Sequence, residues 1–236
     1  MVTGTSVTYI SVAKHIRQAG DLLHLPYQPI ATALAFLHRF KQARKEAYPD
    51  TRVAAACLFL ACKVEEATVR TNDLLNAVHF VAGAVQQLDS AVTSGNPVSK
   101  TPEFGAIVGQ EYYALKETLI TDEQMLLRTI NFEIVVEHPH KYLFNFGKLI
   151  DAKFSLIQMA VSFLNDSIVH TNLCLAHPPA DIAAACLQVA TELLNPLQLP
   201  VVNSPSDWGA LGIKPQHVDH IGLALLNMIV GNMEPG

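Results

Sequence analysis

Apolar residues in this chain recur at intervals of three and four rather than two. From Pro29 onward, Ile30, Ala33, Leu34, Leu37 and Phe40 make one buried face of a helix. His38–Arg39 and the Lys41–Glu46 run mark its wetter C-terminal half. Pro49-Asp50 stops this helix and caps the next, since Asp50 can accept from free N–H groups two or three residues on. The stretch from Thr51 to Glu66 is apolar nearly all round until its last turn, which predicts a central helix surrounded by others. Three consecutive alanines, Ala54 to Ala56, let its neighbours approach closely. Thr71 is predicted to cap a helix running to about Leu88, and the Ser-, Gly-, Pro- and Thr-rich residues 90–105 form one long loop. An amphipathic helix follows from about Ala106 to Ile130. Alternation with period two is found only over Phe132–Val136, too short to build a sheet. Pro139 stands where a new helix begins, because its missing N–H would have no intrahelical partner there. The pattern predicts an all-α fold.

The same unit is written twice. Residues 49–66 and 178–195 align at an offset of 129, and seven of 18 positions are identical. Pro49, Ala54, Ala55, Ala56, Cys57, Leu58 and Ala61 match Pro178, Ala183, Ala184, Ala185, Cys186, Leu187 and Ala190. In the preceding helices Ile30, Ala33, Phe36 and Leu37 match Ile157, Ala160, Phe163 and Leu164, at an offset of 127. A duplication predicts two tandem five-helix bundles, residues 1–136 and residues 137–236. The shared positions are packing positions, so function belongs where the copies differ. Lys63 faces Glu192, and Glu65–Glu66 face Leu194–Asn195.

Composition narrows the function classes. The chain has 236 residues, 50% apolar and 16% charged, enough to bury two cores. The longest apolar run, Val53 to Cys62, is well short of the roughly 20 residues of a membrane span. Sixteen Lys plus Arg against 21 Asp plus Glu gives a net charge of −5, which disfavours nucleic acid as the main partner. Cys57, Cys62, Cys174 and Cys186 lie in apolar segments without a CxxC pair, and read as reduced core residues of an intracellular protein. The start of the chain lacks the layout of a signal peptide.

No catalytic constellation emerges. Serine-nucleophile motifs, Gly-rich phosphate loops and paired catalytic carboxylates are absent from the sequence. His138-Pro139-His140 cannot place both rings on one helix side. His217 and His220 have a workable helical spacing but no third ligand, so neither metal nor cofactor is expected. Lys63 taken alone is a snorkelling lysine at a helix end, with Glu66 as its local partner.

The segments TALAFLHRF, CLFLACKVEE and LLRTINFEIVVEHPHKYL, together with the tandem bundles, resemble the cyclin family. LFLACKVEEATVRTNDLLN is the strongest single match, and the HRF and HPHKYL forms are similar to transcription-type cyclins (the Q, K, T, L and C groups). The resemblance implies a regulatory subunit without catalytic activity that binds and activates a cyclin-dependent kinase as a 1:1 heterodimer in the nucleus. It implies that the first unit faces the kinase's αC helix. The family's lysine and glutamate fall on Lys63 and Glu123, and its apolar pocket on Leu60, Val64, Leu127 and Ile134. Within each helix Leu60 and Val64, and Glu123 and Leu127, stand at i and i+4 and share a face. Both charges are expected at a partly exposed rim. The aromatic often found at the Val64 position is missing, and His38 replaces the buried acid of cell-cycle members. Between Val7 and Leu23 nothing resembles their substrate-docking helix, and no RxxL-type degradation signal precedes the first helix. Transcription factor IIB-like proteins also use two such bundles, but a basic charge and a zinc ribbon are expected of them. A kinase-independent scaffold is a further alternative.

Overall fold

The computed structural model describes residues 5–44, 46, 48–94, 105–194 and 208–233, with side chains for residues 10–85, 105–194 and 208–231 except 45 and 47. The chain divides into two compact units, Met1–Val135 and Val136–Gly236. Among the described residues there is no strand.

The first unit contains α1 (Thr5–Leu22), α2 (Tyr27–Ala43), α3 (Asp50–Val64), α4 (Thr71–Ser94) and α5 (Gly109–Thr129). Helix α3 packs against the other four. Its alanines are buried, as are Cys57 and Leu58 beside them, and Phe36, Leu37 and Phe40 fill the space toward α2. Close packing extends to α1, where a Cβ on Gly20 would fall 2.6 Å from Ile30 Cγ1.

The second unit contains α6 (Pro139–Leu149), α7 (Phe154–His170), the single turn α8 (Leu173–Ala176), α9 (Pro179–Leu194), a 3-10 turn (Trp208–Leu211) and α10 (Pro215–Met233). Here α9 is the central element, packed against α6, α7, α8 and α10. Ala183, Ala184, Ala185, Cys186 and Leu187 are fully buried. The two central helices also open alike. The Pro49 carbonyl accepts from the N–H groups of Arg52 and Val53, and the Pro178 carbonyl from those of Asp181 and Ile182.

Several local expectations are corrected. Asp50 is the first helical residue of α3 rather than its cap; Pro49 takes the cap position without a side-chain bond. The Asp50 carboxylate complements the positive end of the helix and lies 3.8 Å from Lys41. Thr71 likewise begins α4, where Leu74 N–H bonds to the Arg70 carbonyl. Helix α4 continues to Ser94, past its predicted end near Leu88; residues 95–104 of the predicted loop, and Asn195, lie outside the described residues. Helix α5 begins at Gly109 rather than Ala106. The N–H of Ile107 is taken by Asn76 Oδ1 at 2.9 Å, and Gly109 has φ +67°, so a contact from α4 overrides the local helical preference.

Two expected outcomes follow from this packing. Ala55→Leu and Ala184→Leu should each overpack a central helix and lower stability by about 1–3 kcal/mol in urea denaturation. Burial pushes the thiols of Cys57 and Cys186 far up and that of Cys62 up to about 11. At pH 8 a thiol reagent should therefore label half-buried Cys174 first, and reach the other three only on unfolding.

Candidate functional site

The last turns of α3 present Leu60, Lys63 and Val64, and α5, packed against it, presents Glu123 and Leu127. Lys63 Nζ donates to both Glu123 oxygens, at 2.7 Å to Oε1 and 2.8 Å to Oε2. The ammonium also sits 4.1 Å from the Phe59 ring centroid, a cation–π contact. Lys63 therefore turns to Glu123, 60 residues away, and not to its neighbour Glu66. Glu66 enters a left-handed turn at φ +54° and is exposed.

The two charges differ in burial. The Lys63 side chain is 51% exposed and that of Glu123 only 11%. Lys63 thus stands at the rim as expected, whereas Glu123 is buried behind it. The reason lies in how α5 crosses α3. Asp122, next to Glu123, accepts from Arg52 Nε at 2.8 Å, from Arg52 Nη2 at 2.5 Å and from the Tyr48 hydroxyl at 2.5 Å. Arg52 and Lys63 are about 16 Å apart along α3 at 1.5 Å per residue. Their long side chains reach inward from opposite ends of α3 to adjacent carboxylates on α5. Desolvation and the bond to Asp122 raise the Tyr48 hydroxyl above its usual range.

The apolar positions separate in the same way. Leu60 is buried and belongs to the core floor, while Val64 and Leu127 are half-buried and Ile134 is 37% exposed. Beyond α5 the chain does not form the short strand hinted at by Phe132–Val136. Asn131 and Phe132 both take positive φ, +54° and +57°, and Phe132 N–H bonds back to the Leu127 carbonyl at 2.8 Å. Left-handed backbone at a phenylalanine is strained, and Gly would relieve it. Arg39 on α2 then donates to the carbonyls of Glu133 and Val135. These bonds fix a protruding edge of Phe132, Ile134 and Val135, of which Phe132 is 65% exposed.

Three contributors were not identified from sequence: Arg39, Phe132 and Asp122. Asn131, a residue type that tolerates the left-handed turn after a helix, was the one available signal for the Phe132 corner. Glu65 has a different task from its neighbours. It accepts from Thr32 Oγ1 at 2.6 Å and from Gln28, tying the end of α3 to the start of α2.

Removal of Lys63 alone would leave a buried carboxylate without its partner. Lys63→Ala should lower stability by about 1–2 kcal/mol, the low end of the range because water already screens the half-exposed ammonium. Lys63→Met combined with Glu123→Leu should recover most of that loss. Urea denaturation of the single and double variants measures the coupling, and an unchanged midpoint for Lys63→Ala would show that the pair does not couple α3 to α5.

Comparison with known proteins adds the following. The family described as "Cyclin, N-terminal domain" matches residues 10–135. Cyclin-T1-2 of Arabidopsis thaliana is 34% identical over 178 residues, covering 74% of this chain and 35% of that protein. Human Cyclin-L1 is 29% identical over 216 residues, covering 90% of this chain and 38% of that protein. The chain spans between a third and two fifths of the length of these relatives. A chain in the crystal structure of the yeast RNA Pol II CTD kinase CTDK-1 complex superposes with a TM-score of 0.71 at 20% identity, covering 94% of this chain and 65% of that one. A chain in the yeast TFIIK (Kin28/Ccl1/Tfb3) complex does so with a TM-score of 0.58 at 16% identity, covering 95% and 86%. With a family match over more than half its length, which includes the helices that carry Lys63 and Glu123, the chain belongs to the cyclin family.

Proposed function

We propose that the chain is the regulatory subunit of a cyclin-dependent serine/threonine kinase acting in transcription, without catalytic activity of its own, and that it works in the nucleus. The single observation that carries this reading is the rim of the first unit. A half-exposed lysine, clamped by a buried carboxylate, stands on the same helices as the incompletely buried Val64 and Leu127. Ile134 and Phe132 are held out from the turn after α5. The T- and L-type relatives and the fold shared with chains of a CTD kinase complex and TFIIK support the same assignment.

The chemistry of the rim suits an amphipathic helix of the kinase. Two of the three ammonium N–H groups of Lys63 are taken by Glu123, leaving one for a carbonyl of the partner. Because Glu123 is buried and fixes the ammonium, little side-chain freedom is lost when that third bond forms. Val64, Leu127, Ile134 and Phe132 supply the apolar contact. A kinase is active when its αC glutamate pairs with the strand lysine that holds ATP. A rigid apolar surface with one fixed charge can hold αC in that position. The complex is expected to be 1:1, with an interface above about 1,600 Å² in total. It should survive moderate salt, because apolar burial dominates it.

The test compares kinase affinity, kinase activation and thermal midpoint in three variants. Ile134→Asp should lower affinity by roughly 30- to 1000-fold, the equivalent of about 2–4 kcal/mol, with little change in midpoint. Lys63→Glu should abolish activation, and also lower the midpoint by setting like charges against buried Glu123. Glu192→Lys, at the equivalent position of α9, should leave binding intact. If Ile134→Asp folds normally and still binds and activates the kinase, the proposed surface is wrong. Damage from Glu192→Lys alone would move the kinase surface to the second unit.

A further inference from the structure

Large apolar side chains stand singly on most protein surfaces and call for no explanation. At the corner between α6 and α7 three stand together. Phe144 is 47% exposed, Leu149 64% and Phe154 80%. They are outside because the room beneath them is filled. Leu143, Ile150 and Leu156 are buried on the inner side of the same corner, and a Cβ on Gly147 would collide with Ile157 Cδ1, so α6 and α7 meet at close range. Three backbone bonds close the turn: Ile150 N–H to the Phe146 carbonyl at 3.0 Å, Asp151 N–H to Lys148 at 3.3 Å and Ala152 N–H to Gly147 at 2.8 Å. The last of these folds the chain back, which keeps Leu149 and Phe154 at one corner. Phe144 lies one turn before Lys148 on the same face of α6.

Charge marks the same corner. Residues 137–236 hold four lysines, no arginine and eight acids, yet three of the four lysines, Lys141, Lys148 and Lys153, fall on α6 and the turn after it. Lys141 is already engaged by Glu137. Lys148 and Lys153 are exposed, and among the described residues neither is in an ion pair. We propose that this corner is a docking surface for an acidic peptide segment of a partner protein, with aromatic or branched apolar residues between its carboxylates. The apolar side chains bury against Phe144, Leu149 and Phe154, and the carboxylates pair with Lys148 and Lys153 around them. Exposed Asp151 lies between the two lysines and selects among occupants. A lipid surface or a nucleic-acid backbone presents unbroken negative charge to Asp151 as well, and a lipid-binding cluster has about 4–8 basic residues, more than stand free here. A second copy related by a two-fold axis sets a patch with excess positive charge against its own equal. A peptide can place its acids at the lysines and an uncharged residue opposite Asp151. Because the turn is closed and closely packed, little order is lost on docking. This surface shares no residue with the kinase rim, and it stands or falls independently of that reading.

The experiment presents the full chain, immobilised, to a display library of short random peptides, with a variant combining Lys148→Glu, Lys153→Glu and Phe154→Ser as the counter-selector. Peptides that combine acids with aromatic or branched residues should be enriched on the unaltered chain. For a selected peptide followed by fluorescence anisotropy, Phe154→Ser alone, and Lys148→Glu combined with Lys153→Glu, should each weaken binding at least about 10-fold. Lys214→Glu, at the lysine of the second unit outside the corner, and Ile134→Asp, at the kinase rim, should leave it unchanged. Lys148, Lys153 and Phe154 are all exposed, so their variants should keep the circular dichroism and thermal midpoint of the unaltered chain. The proposal is overturned if no peptide distinguishes the chain from the counter-selector, if the enriched peptides lack acids, or if binding survives the corner variants. It is equally overturned if those variants instead abolish retention on phosphatidylserine vesicles, or dimerisation in sedimentation equilibrium, which would make a membrane or a second copy the occupant.

Discussion

Each unit depends on one narrow helix that four others can approach. A leucine at Ala55 or Ala184 would hold the neighbouring helices apart by the width of an isobutyl group. With alanines at 54–56 and 183–185, the surrounding helices close directly on the backbone of α3 or α9. Interiors are packed nearly as densely as organic crystals, so this small cross-section fixes which side chains fit around it. The aromatic and branched residues of α2, Phe36, Leu37 and Phe40, fill what the alanines leave open.

On that frame, charge does two different jobs in the first unit. Asp122 is wholly buried and satisfied by Arg52 and Tyr48, an internal fastening between the start of α3 and the middle of α5. Glu123, one residue on, is nearly as buried but has a partner whose head is half in water. Neighbouring residues on a helix point about 100° apart, which lets one acid look inward and the next toward the rim. The second copy has Glu192 in place of Lys63, exposed and bonded to Gln188 one turn back. The repeat keeps the packing and changes the electrostatics, and the partner surface proposed above lies where that change occurs.

The edge beyond α5 shows a further division of labour. Burial of apolar area gives Ile134 and Phe132 no reason to remain outside, and two left-handed residues in succession are unfavourable. Arg39 opposes both tendencies by holding the carbonyls of Glu133 and Val135 from the adjacent helix. A strained corner kept in place by an arginine from another element is what a preorganised docking surface requires, because the ordering is complete before a partner arrives.

Much of this was legible in the linear sequence. Helical periodicity, the alanine runs, the prolines at the helix starts and the internal repeat specified an all-α chain with α3 and α9 as its centres. They did so because each is a local signal, read over three to eighteen residues. Helix boundaries were less secure: Gly109 rather than Ala106 opens α5, because Asn76 from α4 captures the Ile107 N–H. The tertiary structure alone decided which charges meet. Lys63 had a sequence-local partner in Glu66 and found Glu123 instead; Asp122 joined Arg52 from 70 residues away; His177 came to lie against His217 and His220. Side chains reach only a short way from their own helix, so such pairs depend on how the helices cross, and the crossing is set by packing that no short window of sequence contains.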